Sequence, residues 1–221
     1  MSMKYAPFLL CILGATLTSG AVSAQQMTPN DELLHIKTEW ARIVYQVKDS
    51  GQQVDDIEAL QGEAAKYVDA HPTNAEAILW EGIITSEHAA LANVFQQLGL
   101  AKDARDLFNR SIAIDPAGVN GAAQMSLGVL YYRVPGSPFG FGDDALARQD
   151  LEYALSKDPS GLDANYFYGD FLIEQGEYDK ARMVLSKALQ APVSADRPVW
   201  DAGRRGEVKE LLAKIDRHEK A

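Results

Sequence analysis

The sequence predicts an all-α protein, an α-solenoid of stacked helix pairs that ends in a C-terminal capping helix. Three observations in the 221 residues predict it. Apolar residues share one helical face within each repeated unit. Small and large apolar residues recur at shifts of 34 and 43 positions, and prolines end the predicted helices at similar intervals.

The first 24 residues have the pattern of a secretory signal peptide. Lys4 is the only charged residue before Asp31, an apolar stretch follows over residues 6–17, and small residues precede Gln25. The alternative is an uncleaved membrane anchor, but a spanning helix needs about 20 apolar residues. We therefore expect cleavage after Ala24, a periplasmic location, and no membrane span in the processed protein.

The single cysteine, Cys11, lies inside that apolar stretch. A lipid-modified cysteine needs a small residue before it, and Leu10 occupies that position. The processed chain would therefore have no thiol, which excludes disulfides, thiolate metal sites and a cysteine nucleophile. A chain without thiols suits an oxidising compartment.

The charge balance argues against nucleic-acid binding. The chain carries 21 basic and 31 acidic residues, and removing Lys4 leaves 20 against 31, a net charge of −11. Such a chain repels phosphate backbones and anionic lipid surfaces. The basic residues are dispersed apart from Arg204-Arg205, so they form no basic stripe.

The internal repeat is the most specific signal. A shift of 34 aligns five pairs of identical residues: Gly142 with Gly176, Ala147 with Ala181, Leu151 with Leu185, Ala154 with Ala188, and Leu155 with Leu189. A shift of 43 aligns another set upstream: Gly99 with Gly142, Ala104 with Ala147, Phe108 with Leu151, Ile112 with Leu155, and Asp115-Pro116 with Asp158-Pro159. The alanines let two helices approach closely, and the large residue four positions later fills the space between them.

These units resemble the tetratricopeptide-repeat (TPR) family. Residues 165–192 carry its pattern almost in full: Tyr168, Gly169, Leu172, Gly176, Tyr178, Ala181, Leu185 and Ala188. Residues 124–159 carry it nearly as well, and residues 75–116 keep Gly82, Ala104 and Phe108. The resemblance implies a non-catalytic scaffold that binds a protein or peptide partner on the concave face of a solenoid.

The expected organisation has four parts. Residues 1–24 form the signal peptide, residues 25–74 a degenerate N-terminal helical pair, residues 75–197 the TPR-like repeats, and residues 198–221 the capping helix. Pro198 suits a first helical turn, and the final stretch bears an apolar stripe of Trp200, Val208, Leu211, Leu212 and Ile215. A repeat array needs such a cap because its open end would expose core surface.

A proline- and glycine-rich insertion at residues 134–143 cannot be helical. It carries two aromatic residues, Phe139 and Phe141, which have two interpretations. They pin the loop to neighbouring helices, or they line a binding site together with Tyr131, Tyr132 and Arg133.

The lengthened first unit and the insertion resemble two narrower TPR groups. One is the periplasmic T component associated with tripartite ATP-independent periplasmic (TRAP) transporters, and the other is the regulator-of-microtubule-dynamics type. The export signal disfavours the second. The first implies an accessory component of a solute transport system that binds a small or hydrophobic ligand, which stands as an alternative to the protein-binding scaffold.

The sequence offers no catalytic residues, metal ligands or cofactor motif. Its four histidines are scattered, and it has no H-E-x-x-H, P-loop or nucleophile elbow. Asp143-Asp144 would serve as a general acid and base or, more simply, would open the helix that carries Ala147. We expect no enzyme, no metal and no cofactor.

The candidate partner-binding residues lie on the first helices of the pairs and on the insertion. On the concave face we expect Met125, Val129 and Ile173 beside the binding residues proper. Those candidates are Tyr132, Arg133, Phe139, Phe141, Tyr166, Asp170 and Glu174. Aromatic and acidic groups together suit a segment with basic and apolar anchors, although Tyr132 and Tyr166 equally well pack between adjacent pairs.

Overall fold

The computed structural model describes residues 28–220, so the predicted signal peptide and its cleavage site lie outside the described residues. Within that range the chain forms helices and no strands beyond one isolated bridge between Gly136 and Gly142. The helices are α1 (Pro29–Gln46), α2 (Ser50–Ala70), α3 (Ala75–Leu91), α4 (Val94–Ile114), α5 (Ala122–Arg133), α6 (Asp144–Lys157), α7 (Leu162–Glu174), α8 (Tyr178–Ala188) and α9 (Pro198–His218), with a 3₁₀ turn at Gly118–Gly121. The all-α prediction is confirmed.

Capping side chains at or just before the first turn define several of the helix starts. Thr28 and Asp31 form a capping box at the start of α1. Asn74 accepts hydrogen bonds from the backbone at the start of α3. Asp143 accepts from the N–H groups of Ala145 and Leu146, at 2.9 and 3.1 Å. Asp143 therefore caps α6, which agrees with its interpretation as a residue that opens this helix.

One contact repeats in each of the three TPR-like pairs. A glycine of the first helix lies against the large apolar residue of the second. A Cβ atom on Gly82 would stand 2.6 Å from Phe108, one on Gly128 would stand 3.0 Å from Leu151, and one on Gly169 would stand 2.6 Å from Leu185. These large residues are buried, as are the alanines that the repeat aligns, Ala104, Ala147 and Ala181, each 0% exposed. The residues that repeat in the sequence therefore lie where the two helices of each pair pack closely against each other.

Helix α9 does more than cover the last pair. Its stripe packs Val208 and Ile215 into the core of α7 and α8. Its N-terminal half also contacts α1, where Gly203 lies against the ring of Tyr45. Trp200 belongs to both the N-terminal and the C-terminal apolar cluster. Helix α9 thus joins the first pair to the last along one side of the concave face.

The insertion folds tightly on itself between α5 and α6. The backbone N–H of Gly142 donates to Pro135 O at 3.0 Å. A Cβ at position 142 would stand 1.8 Å from Val134 O, so only glycine fits there. Among the described residues, none of the helices is both long and apolar enough to cross a bilayer.

Candidate functional site

The concave side, with α9 along one edge, holds a partly enclosed cavity of about 910 Å³. The first helix of each pair supplies its walls (α1, α3, α5 and α7), together with the start of α4, the 3₁₀ turn, the insertion and α9. Apolar side chains dominate the interior; they include Leu79, Ile83, Leu98, Val129 and Phe167. The volume lies within the range of about 300–1,000 Å³ that is typical of small-molecule sites.

All three tryptophans of the chain line this cavity: Trp40, Trp80 and Trp200. Trp40 and Trp80 meet edge to face, with ring centroids 5.6 Å apart. The three tryptophans come from three different helices, α1, α3 and α9. Intrinsic tryptophan fluorescence therefore reports on the cavity and on the core packed around it.

The mouth of the cavity has an exposed apolar rim. Val94, Val119 and Phe139 all line the cavity and are 72%, 43% and 79% exposed. Val119 has φ of 48°, a left-handed conformation that costs a β-branched residue about 1–3 kcal/mol. The rim thus combines exposed apolar surface with backbone strain, and both features are enriched at binding sites.

A charged network centred on Arg204 crosses the cavity wall. Its guanidinium donates to Asp163 Oδ1 and to Glu207 Oε2, both at 2.7 Å. It also lies over the rings of Tyr166 and Phe167, at 4.3 and 4.6 Å from their centroids. Burial would lower the pKa of Arg204, but the charge of Asp163 and the other anionic neighbours raises it overall. Arg204 is therefore a fully satisfied structural cation.

Burial raises the pKa values of three side chains in or beside that network. Tyr45 donates to Glu207 at 3.1 Å, and its pKa is raised mainly by burial. Burial also raises the pKa of Tyr166 to about 12. The pKa of Glu207 is raised by burial, and Arg204 partly offsets that rise. At neutral pH both tyrosines are neutral hydrogen-bonding groups.

Arg197, in the loop before α9, is held by aromatic rings. Its guanidinium lies 5.1 Å from the Trp80 centroid and 4.3 Å from the Trp200 centroid. Among the described residues no carboxylate forms an ion pair with it, and burial lowers its pKa. This contact fastens the start of α9 to α3.

Two of the sequence candidates, Tyr132 and Asp170, lie between helices. The Tyr132 hydroxyl donates to Asp170 Oδ2 at 2.7 Å, and Arg133 also pairs with that carboxylate. The Tyr132 ring meets Phe171 edge to face at 5.5 Å. Burial raises the pKa of Tyr132 well above its ordinary value. These contacts join α5 to α7, so Tyr132 follows the packing interpretation.

The remaining candidates separate into two groups. Arg133, Phe139 and Tyr166 line the cavity, as do Met125 and Val129. Phe141 lies away from it and packs edge to face with Tyr131, with ring centroids 6.2 Å apart, and the Arg105 guanidinium lies 4.6 Å from its ring centroid. Phe139 thus follows the binding-site interpretation, whereas Phe141 pins the insertion to neighbouring helices.

On α7, the concave face ends earlier than the sequence indicates. Ile173 is 3% exposed in the core with α8 and α9, and Glu174 pairs at the surface with Lys214 of α9 at 3.4 Å. Helix α9 covers this part of α7, which the concave-face expectation did not include.

Sequence reasoning missed Glu87, which lies on the cavity wall among apolar residues of α3. Its pKa is raised by burial, Arg204 opposes that rise and Glu207 adds to it. A signal was available in the sequence: Glu87 falls four positions after Ile83 and three before Ala90, on one apolar helical face. Within residues 28–220, no group of three potential ligands is arranged to hold a metal ion.

Comparison with known proteins agrees with this architecture. Residues 140–215 match the tetratricopeptide repeat family, whereas no curated protein matches the chain. A thermophilic TPR protein of Thermus thermophilus is similar in structure, with a TM-score of 0.54 at 12% identity over 81% of this chain and 99% of its own. The MamA protein gives a TM-score of 0.43 at 20% identity over 75% of this chain and 90% of its own. The chain therefore has a TPR-like fold, and residues 140–215 match the sequence pattern of the tetratricopeptide repeat family.

Proposed function

We propose that the protein is an exported, non-catalytic scaffold that binds a segment of a partner protein in its concave cavity. One observation carries the proposal: helix α9 turns the concave face into a cavity of about 910 Å³ whose mouth bears exposed apolar side chains. TPR folds as a class support protein interaction. Apolar walls with a few fixed polar groups are what a side-chain-bearing segment requires.

The test is selection from a displayed peptide library with the immobilised full chain. Selected peptides should change the tryptophan emission, because all three tryptophans line the cavity. The Ser126→Trp variant fills the cavity and should abolish binding, whereas Lys209→Trp, on the exposed side of α9, should leave it unchanged. Failure to select any peptide, or equal binding to Ser126→Trp, contradicts the proposal.

The periplasmic location rests on the first 24 residues and has its own test. The protein purified from its native cells should begin at Gln25 in N-terminal sequencing. A mature chain that still carries Met1 or Lys4 contradicts export by cleavage.

A second candidate function is that of a transport accessory component that holds a small or hydrophobic ligand. The volume of the cavity favours it, since about 300–1,000 Å³ is typical of small-molecule sites. An organic extract of the purified protein should then contain one dominant small apolar compound by mass spectrometry. The Ser126→Trp variant should lack that compound, and an extract without any compound argues against this function.

A further inference from the structure

The charges inside the cavity do not balance. Its lining carries four carboxylates and three guanidinium groups: Glu87, Asp158, Asp163 and Glu207 against Arg133, Arg197 and Arg204. The charge of Arg133 is already matched by Asp170, which lies outside the lining. The enclosed surface is therefore short of positive charge.

Glu87 is the carboxylate that carries this imbalance. Asp163 and Glu207 both bond Arg204 at 2.7 Å, so that cation is shared between them. Glu87 makes no hydrogen bond and no ion pair with any residue between 28 and 220, and it senses Arg204 only through space. A partly buried carboxylate among apolar side chains either takes up a proton or is stabilised in its charged form by a cation from outside.

The unpaired cation of the cavity, Arg197, does not supply that partner. It lies between the Trp80 and Trp200 rings and does not come within ion-pair distance of Glu87. Its aromatic neighbours stabilise its charge in place. The helical face that carries Glu87 also presents Trp80, Ile83 and Ala90 to the cavity, so its surroundings on α3 are apolar.

We infer that the cavity receives a lysine side chain of the partner segment, with its ammonium group on Glu87 and apolar neighbours on the rim. The inference rests on the proposed function and names the chemistry of the same site. A lysine suits this position because its aliphatic stem packs along the apolar wall and its compact charge reaches a single carboxylate. The rim residues Val94, Val119 and Phe139 receive the apolar residues that flank the lysine.

The test compares two peptides and two proteins. One is a lysine-containing peptide selected with the full chain, and the other has norleucine in place of lysine, which removes the charge from a similar aliphatic side chain. Tryptophan emission gives the dissociation constants. The lysine peptide should bind the wild-type protein about tenfold more tightly or better, as a charge-assisted hydrogen bond provides. The Glu87→Gln variant should bind both peptides equally weakly, whereas Glu58→Gln, on the exposed face of α2, should behave as wild type.

Each alternative outcome has a distinct meaning. Equal binding of the two peptides by wild type, or selected peptides that lack any cation, overturns the inference and leaves the proposed function intact. Selection of no peptide overturns both. Hexylamine serves as a free-amine probe. If it displaces the peptide at equal concentration and loses this ability in Glu87→Gln, the occupant is a small amine and the inference is overturned.

Discussion

Gly203 of α9 lies directly against the ring of Tyr45 of α1, so closely that a Cβ atom at position 203 would stand 2.3 Å from Tyr45 Cδ1. No L side chain fits there without displacing that ring or the helix. This close approach of α9 to α1 therefore depends on the absence of a side chain at position 203.

The Gly203→Ala variant should lower the melting temperature and loosen the contact between α9 and α1. Overpacking of this kind typically costs about 1–3 kcal/mol. Gly206 is the matched control, since it lies on the same helix and a Cβ there would meet nothing within 4 Å. Gly206→Ala should stabilise the protein by up to about 1 kcal/mol through helix propensity. Stabilisation by both substitutions in thermal unfolding would argue against the close contact.

The Asp170→Ala variant should destabilise the protein by about 2 kcal/mol in chemical denaturation. The carboxylate is 5% exposed and accepts from the Tyr132 hydroxyl, which its loss leaves without a partner, whereas the half-exposed Arg133 is solvated by water. Glu174→Ala serves as the control, because its pair with Lys214 is about half exposed and contributes at most about 1 kcal/mol. A loss of partner binding without a loss of stability in Asp170→Ala would instead assign that residue to the binding surface.

The two aromatic residues of the insertion should respond in opposite ways to substitution by serine. Phe139→Ser should leave the melting temperature unchanged, since its ring is 79% exposed, but should weaken peptide binding at the rim. Phe141→Ser should lower the melting temperature, because its ring packs on Tyr131 and beneath Arg105. The reverse pattern in paired stability and binding measurements would contradict the described placement of the insertion.

The Asp150→Asn variant should stabilise the protein in a pH-dependent way. Burial raises the pKa of the Asp150 carboxyl from 3.8 to about 6, so the folded protein holds its proton more tightly than the unfolded chain does. The unfavourable effect of Asp150 is therefore absent below about pH 4, grows as the pH rises to about 6, and is complete above that value. The difference in melting temperature between variant and wild type should follow this course. A constant difference from pH 4 to pH 8 would contradict the shift.

The sequence predicts the helix pairs well because their signal is local and repeated. Ala147 shares a face of α6 with Leu151, and Ala181 shares a face of α8 with Leu185. All four residues are buried in the structure. Spacing alone was sufficient here, since a helix fixes which residues share a face. The insertion was also predictable as non-helical from its prolines and glycines.

The closure by α9 could not be read from the sequence. The stripe of Val208 and Ile215 indicates that the helix is covered on one face, but not that Gly203 meets Tyr45, which is 158 positions earlier in the chain. The candidate site shifted for this reason: α9 covers Ile173 and engages Glu174, whereas Tyr166 remains on the cavity. Contacts between distant segments depend on the curvature of the whole array, which no local pattern encodes.

The most direct test of the account measures the distance between α1 and α9 in solution. Spin labels at Thr38 and Glu210, both on exposed faces, can be introduced in the full chain once Cys11 is replaced by serine. Double electron–electron resonance should give one short, narrow distance distribution, which broadens in Gly203→Ala and not in Gly206→Ala. A broad distribution at long distance in the wild-type protein would show an open solenoid and would contradict the enclosed cavity.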